Sequence, residues 1–327
     1  MAVSMSDVAR HAGVSQRTVS NVVNDYVHVS PATRARVQAS LDALGYRPNT
    51  AARRLRTGRT GTITLAVPTF RERYFADLAE AIVTAARDRG TTVLVETTGG
   101  RHETEVELLR GGGKILTDGL IMSAVALGRT DQRSTHPVVL IGDREPGSAI
   151  DHVGIKNREA AQAAVTHLLD TGRRRILLLG ANHGPKRSYQ LRRQGYQAAL
   201  TKYGITLDPD LIVDCDWTIA DATDALTRVL AELRPDGIFA MNDSAALGAL
   251  RALRRAHVDV PDAVSVIGFD DIVESALATP ALSTVAPLID DIAASALALL
   301  EEQLDEDHVP QHRMAGYELR LRESSTR

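Results

Sequence analysis

From about residue 62 onward, short runs rich in β-formers alternate with amphipathic helical stretches. The runs fall at 63–67, 93–96, 119–122, 138–141, 153–155, 176–179, 211–213, 237–240 and 264–269. The helical patterns fall between them, at 77–88, 158–170, 189–203, 220–233 and 245–255. Continuously apolar runs separated by helices imply parallel sheets covered on both faces. Nine strands are many for one sheet, so they divide into two doubly wound lobes. Ligands of such sheets bind beyond the carboxyl ends of the strands, here in the cleft between the lobes.

With 327 residues the chain has room for two or three domains. One cysteine, Cys215, excludes an intrachain disulfide and a four-thiolate zinc site. No apolar run approaches the roughly 18 residues that span a bilayer. Asp7, Arg10 and His11 stand where a signal peptide would need its apolar core, so a cytoplasmic protein is expected. Charge is unevenly spread. Residues 1–60 carry nine Arg, no Lys and three Asp, a net +6, whereas the remainder carries −9. A basic head on an acidic body suggests that the head meets a polyanion.

That head reads as three short helices and a hinge. Val8, Ala9 and Ala12 share one face of a first helix, with Ser6 placed to cap it. Gly13 supplies a tight turn, Ser15 caps a second helix over 16–24, and Val19, Val22 and Val23 form its apolar side. Two helices across a Gly turn are a helix-turn-helix, whose second helix enters the major groove. Ser30, Pro31 and the repeat Val37, Leu41, Leu44 mark a third helix ending at Gly45. The stretch 50–56 has almost no apolar face and would order only when its arginines meet phosphates, leaving Leu55 to wedge between base steps.

Asp7-Val8-Ala9, Ala12-Gly13-Val14-Ser15, Thr18-Val19-Ser20, Val29-Ser30, Thr33-Arg34, Leu44-Gly45-Tyr46-Arg47-Pro48-Asn49 and Ala52-Arg53-Arg54-Leu55 together resemble the head of lactose-repressor-type (LacI/GalR) regulators. Thr166-His167-Leu168-Leu169, Gly195-Tyr196, Asn242-Asp243, Ala246-Leu247-Gly248-Ala249, 264–271, Pro280 and 282–285 resemble that family's effector domain. The resemblance implies a helix-turn-helix head over 1–46, a hinge over 47–59 and a periplasmic-binding-protein-like core over 60–327. Lobe 1 would comprise about 60–157 and 287–316, and lobe 2 about 158–286 and 317–327. It further implies a dimeric repressor on palindromic operator DNA, controlled by a sugar-like effector. A solute-binding protein of sugar transport is the alternative, but it would need an export signal and no basic head.

The expected DNA contacts are Ser6, Ser15, Gln16, Arg17, Thr18, Ser20, Asn21, Asn24 and Arg34 in the head, and Asn49, Ala52, Arg53, Leu55 and Arg56 in the hinge. Gln16, Arg17 and Asn21 would read bases; Thr18, Ser20, Asn24 and Arg34 would position phosphates. Relatives carry Arg where Asn21 stands, and Asn prefers adenine where Arg prefers guanine. For the effector, Asp270 and Asn242 each follow an apolar strand and so sit at a carboxyl end. The resemblance adds Arg192, Trp217, Tyr74 and Phe75. Departures from the family are Lys156 for an Asp, Pro287 for a Gln, and Arg71 and Arg73 in an often neutral loop; the added positive charge suggests an anionic effector and equally fits a site that has lost the sugar.

No catalytic set is apparent, so an enzyme is not expected. Cys215 has no evident base, and Asp270-Asp271 and Asp290-Asp291 are sequence neighbours that turn apart. Gly111-Gly112-Gly113-Lys114 lacks the spacing of a phosphate loop. Pro310 spoils a helical metal face between His308 and His312, and His102 with Glu103 and Glu105 reads as a solvated turn. No cofactor or metal is expected.

Overall fold

The computed structural model describes residues 3–23, 26–46, 59–112, 117–128, 131, 134–143, 149–181, 187–303 and 307–326. The chain forms two compact units, 1–60 and 61–327.

The first unit holds α1 (Met5–Ala12), α2 (Gln16–Val23) and α3 (Pro31–Ala43). Val8, Ala9, Ala12, Val19, Val22, Val37 and Leu41 form its small core. Ser4, not Ser6, caps α1. Its hydroxyl accepts from the Asp7 backbone N–H, and the Asp7 carboxylate accepts in return from the Ser4 N–H at 3.0 Å. A capping box needs its acid three residues after the cap, and only Ser4 has that spacing to Asp7. Gly13, at φ 62°, closes α1 with its N–H on the Arg10 and Ala9 carbonyls. Ser15 Oγ accepts from the Thr18 N–H at 3.1 Å and so caps α2. Pro31 opens α3 behind Ser30, whose hydroxyl accepts from the Thr33 N–H.

The second unit is built on two six-stranded sheets. Sheet 1 comprises β1 (Thr62–Val67), β2 (Thr92–Thr97), β3 (Leu120–Ser123), β4 (Val138–Ile141), β5 (Asp151–Ile155) and β11 (His312–Ala315), in the order β11-β5-β4-β3-β1-β2 and all parallel. Sheet 2 comprises β6 (Ile176–Ala181), β7 (Ile212–Asp214), β8 (Gly237–Ala240), β9 (Ser265–Phe269), β10 (Ser283–Pro287) and β12 (Tyr317–Arg320), in the order β12-β10-β9-β8-β6-β7, with β12 antiparallel. The helices are α4 (Arg73–Asp88), α5 (His102–Leu109), α6 (Asn157–Asp170), α7 (Arg187–Lys202), α8 (Ile219–Leu233), α9 (Asp243–Arg255), α10 (Val273–Leu277) and α11 (Ile289–Glu302). Among the described residues the chain passes between sheets three times, after Ile155, Pro287 and Ala315.

The central strands β3, β4, β6, β8 and β9 are buried residue by residue, as helices on both faces require. One continuous core cluster joins Leu65, Leu78 and Ile292 around sheet 1 to Tyr196, Phe239 and Phe269 around sheet 2. Gly195 permits the close crossing of α6 and α7: a Cβ there would lie 2.2 Å from the Arg158 carbonyl. Residues 102–109 correct the expectation of a solvated turn. They form α5, and Glu105 is buried with its carboxylate accepting the Val125 and Ala126 N–H groups at 3.0 and 2.9 Å.

Candidate functional site

The carboxyl ends of the strands in both sheets open on one cavity of about 1100 Å³. Sheet 1 contributes the loops after β1 (Pro68 to Glu72), β2 (Gly99, Gly100), β3 (Ala124 to Gly128) and β4 (Gly142, Asp143). Sheet 2 contributes Trp217 beyond β7 and Asp270 beyond β9, with Arg187, Ser188, Gln190 and Arg192 from α7. The lining therefore follows from the doubly wound topology.

A buried polar relay runs along its base. Asn157 donates its amide to Asp143 and accepts from Arg192 Nε at 2.6 Å. Arg192, 5% exposed, also donates to the Met241 carbonyl, lies 3.5 Å from the Asp270 carboxylate and stacks 3.4 Å over the Phe269 ring. Burial pushes the Asp270 carboxyl up to about 8, against the pull of Arg192. Burial also lifts Asp143, to about 6, against Arg192, Arg187 and the Asn157 amide. Asp270 sits at φ 115° and Asp271 at φ 55°, a turn that aims Asp270 into the cavity. Asp243 holds that turn: its buried carboxylate accepts from the Ile272 N–H at 3.0 Å, Ser275 Oγ at 2.7 Å and Thr284 Oγ1 at 2.5 Å. Carboxylates and a guanidinium on convergent elements can together engage several hydroxyls of a polyol.

Aromatic faces complete the lining. Tyr74 and Phe75 stand edge to face at 5.3 Å, and burial raises the Tyr74 phenol above its ordinary range. Trp217 donates its indole N–H to the Gly180 carbonyl at 2.8 Å, which fixes the ring while one side faces the cavity. Tyr74, Phe75, Arg192, Trp217 and Asp270 thus converge on one space. Asn242 does not, and this corrects its assignment. It is the N-cap of α9, its Oδ1 accepting from the Ala245 N–H at 2.9 Å while its amide donates to the Trp217 carbonyl. Sequence reasoning missed Asp143, although it follows the apolar run 138–141 just as Asp270 follows 264–269.

In the first unit, Gln16 and Arg17 are exposed at the start of α2, and Ser20 and Asn21 are half-buried on the same helix. The Thr18 hydroxyl lies 2.9 Å from Ser15 Oγ, within the cap. Arg34 Nη2 donates to the Tyr26 carbonyl at 2.8 Å, bracing the loop after α2. Ser6 is exposed on α1. Asn24 and the hinge candidates Asn49, Ala52, Arg53, Leu55 and Arg56 lie outside the described residues.

Residues 4–49 match the profile of bacterial regulatory proteins of the lacI family, and residues 165–325 match a periplasmic binding protein-like domain. Catabolite control protein A of Priestia megaterium is 31% identical over 314 residues, covering 94% of this chain and 95% of its own. The repressor CytR of Escherichia coli K12 is 32% identical over 317 residues, covering 94% and 92%. The chain belongs to the lacI family. Among solved structures, the Lac repressor dimer bound to operator and an anti-inducer superposes with a TM-score of 0.81 at 25% identity, covering 99% of each chain. A complex of the regulator CelR with cellobiose gives 0.71 at 29% identity, covering 98% of this chain and 99% of its own.

Arg71, Arg187 and Arg192 line the cavity together with Glu72, Asp143 and Asp270, and because burial lifts the Asp270 carboxyl to about 8 the positive groups outweigh the negative ones at neutral pH. Arg73 turns to Asp77 at 2.9 Å, and Lys156 is an exposed helix-capping position. Among the described residues no cluster of His, Cys, Asp or Glu could hold a metal, and no helix is long and apolar enough to cross a membrane. His308 is instead paired with Asp151 at 2.7 Å, and burial pushes the Cys215 thiol up to about 12.

Proposed function

We propose that the protein is a cytoplasmic transcriptional repressor that binds operator DNA through its helix-turn-helix and a sugar-like effector through its cavity. The observation that carries this reading is the presence, in one chain, of a helix-turn-helix unit with Gln16 and Arg17 exposed and a polyol-type cavity at the carboxyl ends of two sheets. A homodimer would present two heads to a palindromic site, one turn of duplex apart. Gln16, Arg17 and Asn21 contact bases, and Leu55 with Arg53 and Arg56 engages the minor groove. Tyr74, Phe75, Arg192, Trp217 and Asp270 hold the effector, joined by Asp143 and Asn157. Effector affinity and DNA affinity are then reciprocally linked. The reading assigns binding and no chemical turnover.

Fluorescence anisotropy with labelled palindromic duplexes, drawn from upstream of the protein's own and neighbouring genes, tests this. The full chain should bind a subset tightly, with affinity falling steeply as salt rises. Residues 61–327 alone should bind none. Equal binding by that fragment, or no duplex bound by the full chain at low salt, would overturn the reading.

A further inference from the structure

The turn that follows α2 carries apolar side chains on its outside. Among the described residues of the first unit, Tyr26 at 51% and Val27 at 81% exposure are the large apolar side chains left open to water. They are sequence neighbours between α2 and α3. Val29, two residues on, packs against the small core of the head, whereas Val27 stands in solvent. Single exposed apolar residues are common. This pair is adjacent, fixed in place, and continuous with the helix that carries Gln16, Arg17 and Asn21.

The turn is held at three points. The Tyr26 N–H donates to the Asn21 carbonyl at 2.9 Å, Arg34 Nη2 donates to the Tyr26 carbonyl at 2.8 Å, and the Val29 N–H donates to that same carbonyl at 3.4 Å. The Tyr26 and His28 rings stand edge to face at 5.3 Å. These contacts set Val27 next to the turn of α2 that bears Asn21. Val27 is β-branched and stiff at χ1, so a contact made by it loses little side-chain entropy. It has no donor to offer a phosphate oxygen, and the apolar feature of a base edge in the major groove is the C5-methyl of thymine. We propose that Val27 packs on a thymine methyl in the major groove, at a base pair neighbouring the one that faces Asn21. It thereby adds a sequence requirement that the polar side chains of α2 do not supply. The inference rests on the operator-binding reading above and deepens it.

Binding selection with the full chain, from duplexes of roughly 20 base pairs randomised as palindromes, supplies the probe. The base facing Asn21 is located by the shift that an Asn21→Arg selection produces. Each thymine of the selected duplex is then replaced in turn by deoxyuridine, which removes the methyl and leaves every hydrogen-bonding group. One such replacement beside the Asn21 base should weaken binding roughly fourfold per half-site, and roughly fifteenfold when made in both, as one buried methyl implies. Val27→Ala should lose a similar factor on the thymine duplex and no longer distinguish uracil from thymine there. Val27→Ile should keep the distinction. All three proteins should show the same helix content by circular dichroism, because the side chain is exposed. A selected duplex without thymine beside that base, a wild-type protein indifferent to every uracil, or a Val27→Ala variant that still prefers thymine would overturn the inference and leave operator binding standing. So would a Val27→Ala loss of equal size on the selected duplex and on unrelated DNA, which marks a backbone contact. A selection that enriches no duplex would count against the operator-binding reading itself.

Discussion

Replacing Arg192 by Met should destabilise the second unit far more at pH 9 than at pH 5. Arg192 makes two hydrogen bonds, to Asn157 and the Met241 carbonyl, and lies 3.5 Å from Asp270. Burial lifts the Asp270 carboxyl from 3.8 to about 8. A folded-state value raised above the unfolded one gives stability that is complete below about pH 4 and is lost as pH rises through 8. One pH unit in that window is worth about 1.4 kcal/mol, so up to about 4 kcal/mol disappears between pH 5 and 8. Asp143, at about 6, and Asp243, at about 7, act with the same sign and flatten earlier. At pH 5 the Arg192→Met variant leaves Asp270 neutral, and its cost is the unpaired acceptors, about 1–3 kcal/mol. At pH 9 it also strands a buried carboxylate, which raises the cost to about 3–5 kcal/mol. Asp270→Asn should remove most of this pH dependence, and the double substitution at pH 9 should recover toward the pH 5 cost. Urea unfolding read by fluorescence of Trp217, the chain's single tryptophan and 5.5 Å from the Arg192 guanidinium, measures each difference. An Arg192→Met penalty equal at both pH values, or a double variant no better than the single one at pH 9, would refute the reasoning.

Gly195→Ala would place a methyl 2.2 Å from the Arg158 carbonyl and 2.8 Å from the Gln162 nitrogen. Both are backbone atoms, so α6 and α7 must separate; a loss of about 2 kcal/mol or more is expected in the same unfolding assay. In the first unit, Ser4→Ala should cost about 1 kcal/mol by removing the cap, and Ser6→Ala close to nothing, with thermal melting monitored by circular dichroism deciding between them. Asn21→Arg should move the preferred base opposite that position from adenine toward guanine in binding selection, and an unchanged selected sequence would dismiss the assignment.

The central architecture is legible because the chemistry that buries a strand also writes its sequence. The runs 63–67, 138–141, 176–179 and 237–240 are apolar almost throughout and coincide with β1, β4, β6 and β8. The strands β10, β11 and β12 carry no such mark. In β10, Ser283 and Thr284 are fully buried, their hydroxyls donating to the Arg322 carbonyl and to Asp243. The edge strands β11 and β12 are half exposed and polar, as unpaired edges are. From sequence α5 reads as a turn because His102, Glu103 and Glu105 look solvated, yet Glu105 is buried by two backbone donors that sit about twenty residues away. The carboxyl-end rule finds Asp270 and equally points to Asn242. What separates them is the local backbone: Asn242 enters α9 with extended φ and spends its oxygen on the cap, whereas Asp270 sits at φ 115°, which frees its carboxylate for the cavity.

The relay explains how occupancy of such a cavity could be sensed at all. Asp143 follows β4 of sheet 1, Asp270 follows β9 of sheet 2, and Asn157 opens α6 immediately after the first crossing between the sheets. Asn157 bonds to Asp143 on one side and to Arg192 on the other, and Arg192 reaches Asp270. Burial raises both terminal carboxyls against the pull of Arg192, although each has a partner in the relay, Asn157 for Asp143 and Arg192 for Asp270. A ligand with hydroxyls at both ends would bond to both carboxyls best at one particular separation of the sheets. Its differential affinity for that separation is the only source from which a shift in lobe geometry can come. A variant that keeps the cavity but severs the relay, such as Asn157→Leu, should therefore bind a ligand at one end while losing the response of DNA affinity to it.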